Sequence, residues 1–532
     1  MEYPGPMTVR RIYGCRHHIA GFEEDTVIGD YAVIGLYIAG MIGIGWYSLR
    51  LAKTRSDYLV AGRRLGGFMY SGTMSAVVLG GASTIGGVGL GYTHGISGAW
   101  LVLTIGLGIL VLHALFARRL VRLRLYTVSE MLDLRYGGST SAISGVVMWG
   151  YTLMLTVTST LAFATIFNVL FDLPSLAGIA IGGAIVVLYS VLGGMWSITL
   201  TDIAQFVITT IGFLFLLFPI ALTAAGGLDG MADKLDPSYF EFDSIGGGTI
   251  LTYVLIYGFG LLIGQDIWQR VFTARSPRVA TIGGIGSGVY CVVYAIAGAL
   301  IGAAAKTLYP NLADADDAFA TIVADLLPTG LRGLVLAAAL SALMSTASGA
   351  LIACSTVSSM DILARFRRGH GKDTDDTAVS TNRWTTLVLG VLAIGIAMIV
   401  TDVVAALTVA YNILVGGLLV AILGALLWPR GTRAGALASM VTGSVVVIVS
   451  MITEGLLANE PIYYGLGASL FAYVVVSLLT PRTSADVLSV WNARLRGGTD
   501  DPDEARESRR GESTDADPTT PKPATNTIRR TT

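Results

Sequence analysis

Apolar runs of about 20 residues follow one another along most of the chain, and each is long enough to cross a bilayer as a helix. By run length they fall at 28–49, 68–93, 98–117, 140–170, 175–195, 199–225, 249–269, 279–305, 329–359, 384–401, 403–428, 434–456 and 461–480, about 13 in all. Helices satisfy their own backbone hydrogen bonds, which lipid cannot do. A membrane barrel would show short strands of alternating polarity, and the pattern has none. It predicts an all-α polytopic membrane protein occupying 28–480. Residues 1–27 form a polar tail with Arg10, Arg11, Arg16, His17 and His18 and lack a signal-peptide apolar core. Segment 481–532 reads as a second, largely disordered tail. From about Gly497 it holds almost no large apolar residue with which to build a core.

Two of the runs are interrupted in a way that matters for function. The second passes through Leu79-Gly80-Gly81-Ala82-Ser83-Thr84-Ile85-Gly86-Gly87, small or polar almost throughout and a poor helix by propensity. The seventh contains Tyr257-Gly258-Phe259-Gly260 and Gly264-Gln265-Asp266. Transporters bind substrate at such interruptions, placed in corresponding positions of two inverted repeats. The two runs are five spans apart, so repeats of five at about 68–225 and 249–428 would have opposite topology. That gives a five-plus-five inverted-repeat core. The competing reading is close packing, which glycine also serves in membrane helices.

The charges orient the chain. Alternate loops hold Arg50, Lys53, Arg55, Arg63 and Arg64, then Arg118, Arg119, Arg122, Arg124 and Arg135, then Arg270, Arg275 and Arg278. The same set continues with Arg365, Arg367, Arg368, Lys372, Arg383, Arg430 and Arg433. The opposite loops hold only Lys234, Lys306 and Arg332 between spans. The positive-inside rule then puts the N-terminal tail outside and the C-terminal tail in the cytoplasm, in a multi-pass protein of the cell membrane.

Composition agrees with the pattern: 53% of residues are hydrophobic and 13% charged, against about 25% charged in soluble domains. The net charge of −1 says little about partners; no nucleic-acid partner is expected. Cys15, Cys291 and Cys354 are too few and scattered for a disulfide framework or a metal centre. No HExxH, GxSxG or clustered His/Asp/Glu constellation appears, so the chain does not read as an enzyme and no organic cofactor is implied.

The ninth run carries Ala342-Leu343-Met344-Ser345-Thr346, with Ala342, Ser345 and Thr346 on one helix face. A hard cation takes oxygen ligands, and unwound backbone frees carbonyls for it. A hydroxyl pair facing the carbonyls of Ala82 and Ile85 would supply such a set. Ser and Thr bonding back to their own helix is the alternative. Asp202, at the start of the sixth run, suits either an intramembrane functional acid or a helix N-terminal role. Asp266 and Arg270, four apart, predict a structural ion pair, and Asp361 an interfacial acid. A solute pocket is expected between the two interrupted helices and the fourth span. Its candidate liners are Gly86, Gly87, Tyr151, Thr152, Tyr257 and Gln265, and Tyr411 and Asn412 are expected to help gate the outside.

Several stretches in order resemble the sodium/solute symporter family, which includes sodium–proline, sodium–pantothenate and sodium–glucose cotransporters. They are Asp57-Tyr58-Leu59-Val60-Ala61-Gly62-Arg63-Arg64, Ala82-Ser83-Thr84-Ile85, Gly193-Gly194 with Thr201, Asp202 and Gln205, Gln269-Arg270, and Ala342 to Thr346. The resemblance covers roughly 28–480. It implies secondary active transport, with sodium as the coupling ion and a small organic solute as cargo. That solute is an amino acid, monocarboxylate, vitamin or sugar. It also implies sodium binding by Ala82, Ile85, Ala342, Ser345 and Thr346, and a second cation site or a release site at Asp202. Thr84 departs from the pattern, because sodium–proline members carry an aspartate there. A proton-coupled symporter of the same fold and a membrane solute sensor are the alternatives.

Overall fold

The computed structural model describes residues 24–137, 140–171, 173–363, 375–400 and 403–497. Cys15, His17, His18, Arg365, Arg367, Arg368 and Lys372, and the chain beyond 497, lie outside the described residues. Among the described residues the regular structure is all helical, apart from one isolated bridge between Leu65 and Ala274. Ten helical runs are long and apolar enough to cross a membrane. Counting the bent pair Gly247–Ile263 and Gln265–Val271, which turns by 43°, as one span makes 11. Run length alone had suggested about 13. The difference lies in two long runs, Ala82–Leu123 with 42 residues and Ser175–Ala224 with 50. At about 1.5 Å per residue each is long enough for two crossings.

Each of those runs contains a glycine with positive φ. Gly95 has φ 59° and ψ −137°. Gly194 has φ 54° and ψ −136°, inside the helix Ser175–Thr209. An L-residue is strained there. Gly194 is also crowded, since a Cβ on it would lie 2.8 Å from the Tyr58 ring. A Cβ on its neighbour Gly193 would collide with the Ser48 hydroxyl. The Gly-Gly pair is therefore a joint against which the first helix, Glu24–Ser48, and the short helix Arg55–Val60 close.

The stretches singled out in the sequence meet at this joint. The Tyr58 hydroxyl reaches the Val191 carbonyl at 3.3 Å and the Thr386 hydroxyl at 3.3 Å. Gln269 donates to the Leu59 carbonyl and to the Thr356 hydroxyl, both at 2.7 Å. Motifs far apart in the chain thus lock one end of the helix bundle. At the C-terminal side, Ala485–Arg496, within the segment read as a tail, forms a helix with Trp491 buried.

Candidate functional site

The second interrupted run breaks where the sequence is poorest in helix formers. Helix Gly67–Val78 ends at Leu79, and the chain restarts through the wide turn Ala82–Gly86 into Gly87–His94. A helix end leaves its last carbonyls without backbone partners. Here side-chain hydroxyls meet three carbonyls of the last turn, of which that of Ala76 also accepts the Leu79 amide at 3.4 Å. Ser345 Oγ lies 2.9 Å from the Ala76 carbonyl, Thr346 Oγ1 2.9 Å from that of Val77, and Ser83 Oγ 3.1 Å from that of Val78. Ser345 and Thr346 come from the buried helix Leu331–Val357. Both also lie near the Ala342 carbonyl of that helix, at 3.0 and 3.3 Å. Three carbonyls and two hydroxyls converge with no charged side chain among them, an oxygen set of the kind a hard cation takes. The approach depends on Gly80, where a Cβ would stand 2.6 Å from Thr346 Oγ1.

Ala342, Ser345 and Thr346 are thus together on one face. The carbonyls they meet are those of Ala76 and Val77, just before the break. Ala82, after the break, lines the same cavity as Thr346, and Ile85 is buried in the wide turn. Thr84 faces away from the pair, with its hydroxyl 2.9 Å from the Tyr294 hydroxyl on helix Pro277–Leu308.

A cavity of about 60 Å³ adjoins the break. Its walls come from the broken helix at Val77–Ser83, from Leu155 to Ser159 of the helix Thr140–Leu161 and Ala162 just after it, and from Tyr257 to Ile267 of the bent pair. Tyr411 of the helix Val403–Leu427 closes another side. Of the predicted liners, Tyr257 stands in the wall. Tyr151 stands behind it, donating to Asp266 Oδ1 at 3.0 Å. Thr152 bonds back to the Met148 carbonyl at 2.8 Å. Gln265 clamps a loop, accepting from the Val128 amide at 2.8 Å and donating to the Tyr126 carbonyl at 3.0 Å. Gly86 and Gly87 continue the broken helix, Gly87 beneath Val102. Asn412 is buried, and neither amide atom has a partner. Sequence reasoning missed Thr158 and Ser159 as cavity residues. Their signal was a cluster of small hydroxyl side chains, Thr156, Thr158, Ser159 and Thr160, inside an apolar span.

The acids pair differently from their sequence spacing. Arg270 does not meet the Asp266 carboxylate. Its Nη2 lies 3.0 Å from Asp202 Oδ2, both side chains fully buried, while Nη1 reaches the Asp266 backbone carbonyl at 3.2 Å. Thr73 donates to the same Asp202 oxygen at 2.5 Å, and Asp202 Oδ1 has no hydrogen-bond partner. Room for the guanidinium comes from Gly349, where a Cβ would stand 2.7 Å from Nη2. The i, i+4 rule weighs only neighbours on one helix, and a carboxylate on a different helix wins. Asp361 is likewise buried rather than interfacial, accepting from the Thr127 hydroxyl at 2.9 Å. Off the spans, Glu130 receives the Tyr126 amide at 2.7 Å, and burial pushes its carboxyl above the ordinary range.

The comparisons with known proteins agree with this architecture. The family model described as the sodium:solute symporter family matches residues 58–443. An osmoregulated proline transporter of Bacillus subtilis is 26% identical over 481 residues, covering 84% of this chain and 94% of its own. A sodium/proline symporter of Escherichia coli is 27% identical, covering 78% and 86%. A sodium/pantothenate symporter of the same species is 25% identical, covering 82% and 94%. Among solved structures, a sodium-coupled sialic acid symporter in a substrate-bound outward-open state superposes with a TM-score of 0.75 at 17% identity, over 86% of this chain and 98% of its own. That likeness is one of fold. The relatives are transporters, not enzymes. With the match running over most of the chain, this protein belongs to the sodium:solute symporter family.

Proposed function

We propose that the chain carries a small organic solute into the cell together with sodium, by alternating access. The observation that carries this reading is the pairing of Ser345 and Thr346 with the carbonyls at a broken helix, beside a cavity that Thr346 itself lines. The proposed sodium ligands are the Ala82, Ile85 and Ala342 carbonyls and the Ser345 and Thr346 hydroxyls. In the conformation described the hydroxyls hold Ala76 and Val77 instead. Sodium arrival would turn their protons away and present lone pairs to the ion. Sodium would then hold the broken helix against Leu331–Val357 and prepare the cavity for solute. Linkage requires each ligand to tighten the other by the same factor.

The relatives that carry proline and pantothenate support a small organic cargo. Splitting the two long runs at Gly95 and Gly194 and counting the bent pair once supports 13 spans. A five-plus-five inverted-repeat core, with the N-terminus outside and the C-terminus cytoplasmic, goes with that count. Asp202 offers a passing ion one oxygen, Oδ1, its other being engaged by Thr73 and Arg270. That supports a release role for it.

The test is binding of radiolabelled sodium to the purified full chain and to the Ser345→Ala/Thr346→Ala variant. Saturable binding in the wild type, lost in a variant that still folds, is expected. A folded wild type that binds no sodium would sink the reading and favour proton coupling.

A further inference from the structure

We propose that the transported solute carries an ammonium group, that Asp266 anchors it, and that Tyr257 and Tyr411 form the aromatic wall around it. This rests on the cavity being the solute site of a sodium symporter. It adds the chemical class of the solute.

The first observation is a charge imbalance. Asp202, Asp266 and Arg270 are buried together. Arg270 meets the Asp202 carboxylate at 3.0 Å, and towards Asp266 it reaches only the backbone carbonyl, at 3.2 Å. One guanidinium therefore stands against two carboxylates, and it is committed to the one outside the cavity. Asp266 lines the cavity and receives the Tyr151 hydroxyl at 3.0 Å. No Lys, Arg or His lines the cavity. A buried carboxylate whose nearby guanidinium bonds another acid is only partly compensated, and a cation arriving beside it lowers the remaining penalty.

The second observation is aromatic. The Tyr411 ring meets Tyr151 with centroids 5.2 Å apart at 68°, and Tyr257 at 5.4 Å and 72°. Tyr257 and Tyr411 both line the cavity beside Asp266. Ring faces attract ammonium groups, and a carboxylate with aromatic neighbours is chemistry suited to an amine.

The third is that the backbone is shaped for this wall. A Cβ on Gly264 would stand 2.7 Å from Asp266 Oδ1 and 3.2 Å from the Tyr151 hydroxyl, and one on Gly260 would run into the Tyr411 ring. Both glycines belong to the bent pair, so its bareness lets acid and rings converge. A purely structural Asp266 would be satisfied by Tyr151 and by the first amides of its own helix. It would not need to border the cavity, and it would not discriminate between solutes.

The experiment uses the full chain in proteoliposomes with an inward sodium gradient. The ammonium probes, called amines for short, are L-proline and the quaternary trimethylglycine and choline; the probes without an ammonium group are pantothenate, N-acetylneuraminate and D-glucose. Sodium-driven uptake of at least one amine and of none of the others is expected. Asp266→Asn should lower apparent affinity for that amine tenfold or more while sodium binding by the purified variant stays within twofold. Tyr411→Ala should weaken it several-fold and Tyr411→Phe little. If Asp266→Asn does not fold, Asp266→Glu and Tyr257→Leu serve on the same readouts. Uptake of a probe without an amine, exclusion of every amine, or amine uptake indifferent to these changes would overturn the assignment. Sodium binding intact in that case leaves the symport reading standing. Sodium binding absent removes that reading as well.

Discussion

Two buried polar clusters sit one helical turn apart on helix Leu331–Val357, and they are built on opposite principles. At Ser345 and Thr346 the partners are carbonyls, all neutral oxygens. At Gly349 the helix is bare, and the Arg270 guanidinium fills the space and meets Asp202. The first cluster has ligand oxygens and no cation of its own. The second has a carboxylate that already carries one. On the proposed reading a visiting sodium ion gains most at the first, where it would displace hydroxyl–carbonyl hydrogen bonds, and least at the second, where it would compete with a tethered positive charge. The most conspicuous acid in the sequence is thus not the best place to look for the coupling ion.

The largest expected effect comes from unbalancing the second cluster. Removing one partner of a buried ion pair leaves an uncompensated charge, at a cost of about 3–5 kcal/mol. Arg270→Gln should lower the thermal unfolding temperature sharply in detergent or lose the fold. Asp202→Asn added to it should recover most of the loss. If the double variant is as unstable as the summed singles, the two groups are not coupled, and the contrast drawn between the clusters fails.

Next comes the neutral cluster. Each hydroxyl–carbonyl contact contributes about 1 kcal/mol. Those contacts are made without sodium, so the Ser345→Ala/Thr346→Ala variant should lose about 2 kcal/mol of sodium-free stability. With both proposed ligand hydroxyls gone, its saturable sodium binding should be lost. A radiolabelled-sodium titration beside a thermal melt separates the two effects.

Glycine substitutions give a crossed test of smaller size. Gly80→Ala puts a methyl 2.6 Å from Thr346 Oγ1, and Gly349→Ala puts one 2.7 Å from Arg270 Nη2. Overpacking costs about 1–3 kcal/mol in each case. The first should weaken sodium binding with a small change in melting temperature. The second should lower the melting temperature and leave sodium binding nearly unchanged. Equal effects of both variants on sodium would merge the clusters into one site.

How much of this the sequence disclosed depends on how far apart the partners lie. Apolar run length and the small-residue stretch Leu79 to Gly87 disclosed the helices and the break, because both are local properties. Ser345 and Thr346 were legible because helical periodicity puts them on one face with Ala342. Arg270 was misread because the nearest acid in sequence is Asp266, whereas its partner Asp202 is 68 residues away on another helix. Asp361 was misread because its place at the end of a run suggested water, yet Thr127, 234 residues away, covers it. The carbonyls that the hydroxyls meet, those of Ala76 and Val77, depend on how two helices slide past each other. Spacing within either helix does not record that offset.

The smallest effect calibrates the rest. Asp57 also pairs with an arginine, Arg64, but that side chain is 62% exposed. Water and salt screen the pair, and such pairs contribute about 0–1 kcal/mol. Asp57 keeps a second role, accepting from Thr54 Oγ1 at 2.9 Å and the Thr54 amide at 3.2 Å as part of a capping box. Arg64→Ala should therefore change the melting temperature little and less still at high salt, and Asp57→Ala should cost more because the cap goes with it. Set beside Arg270→Gln, the pair of measurements isolates burial as the cause, since both arginines meet one aspartate each. An Arg64→Ala loss as large as that of Arg270→Gln would show that the joint at Gly194, and not desolvated charge, dominates both effects.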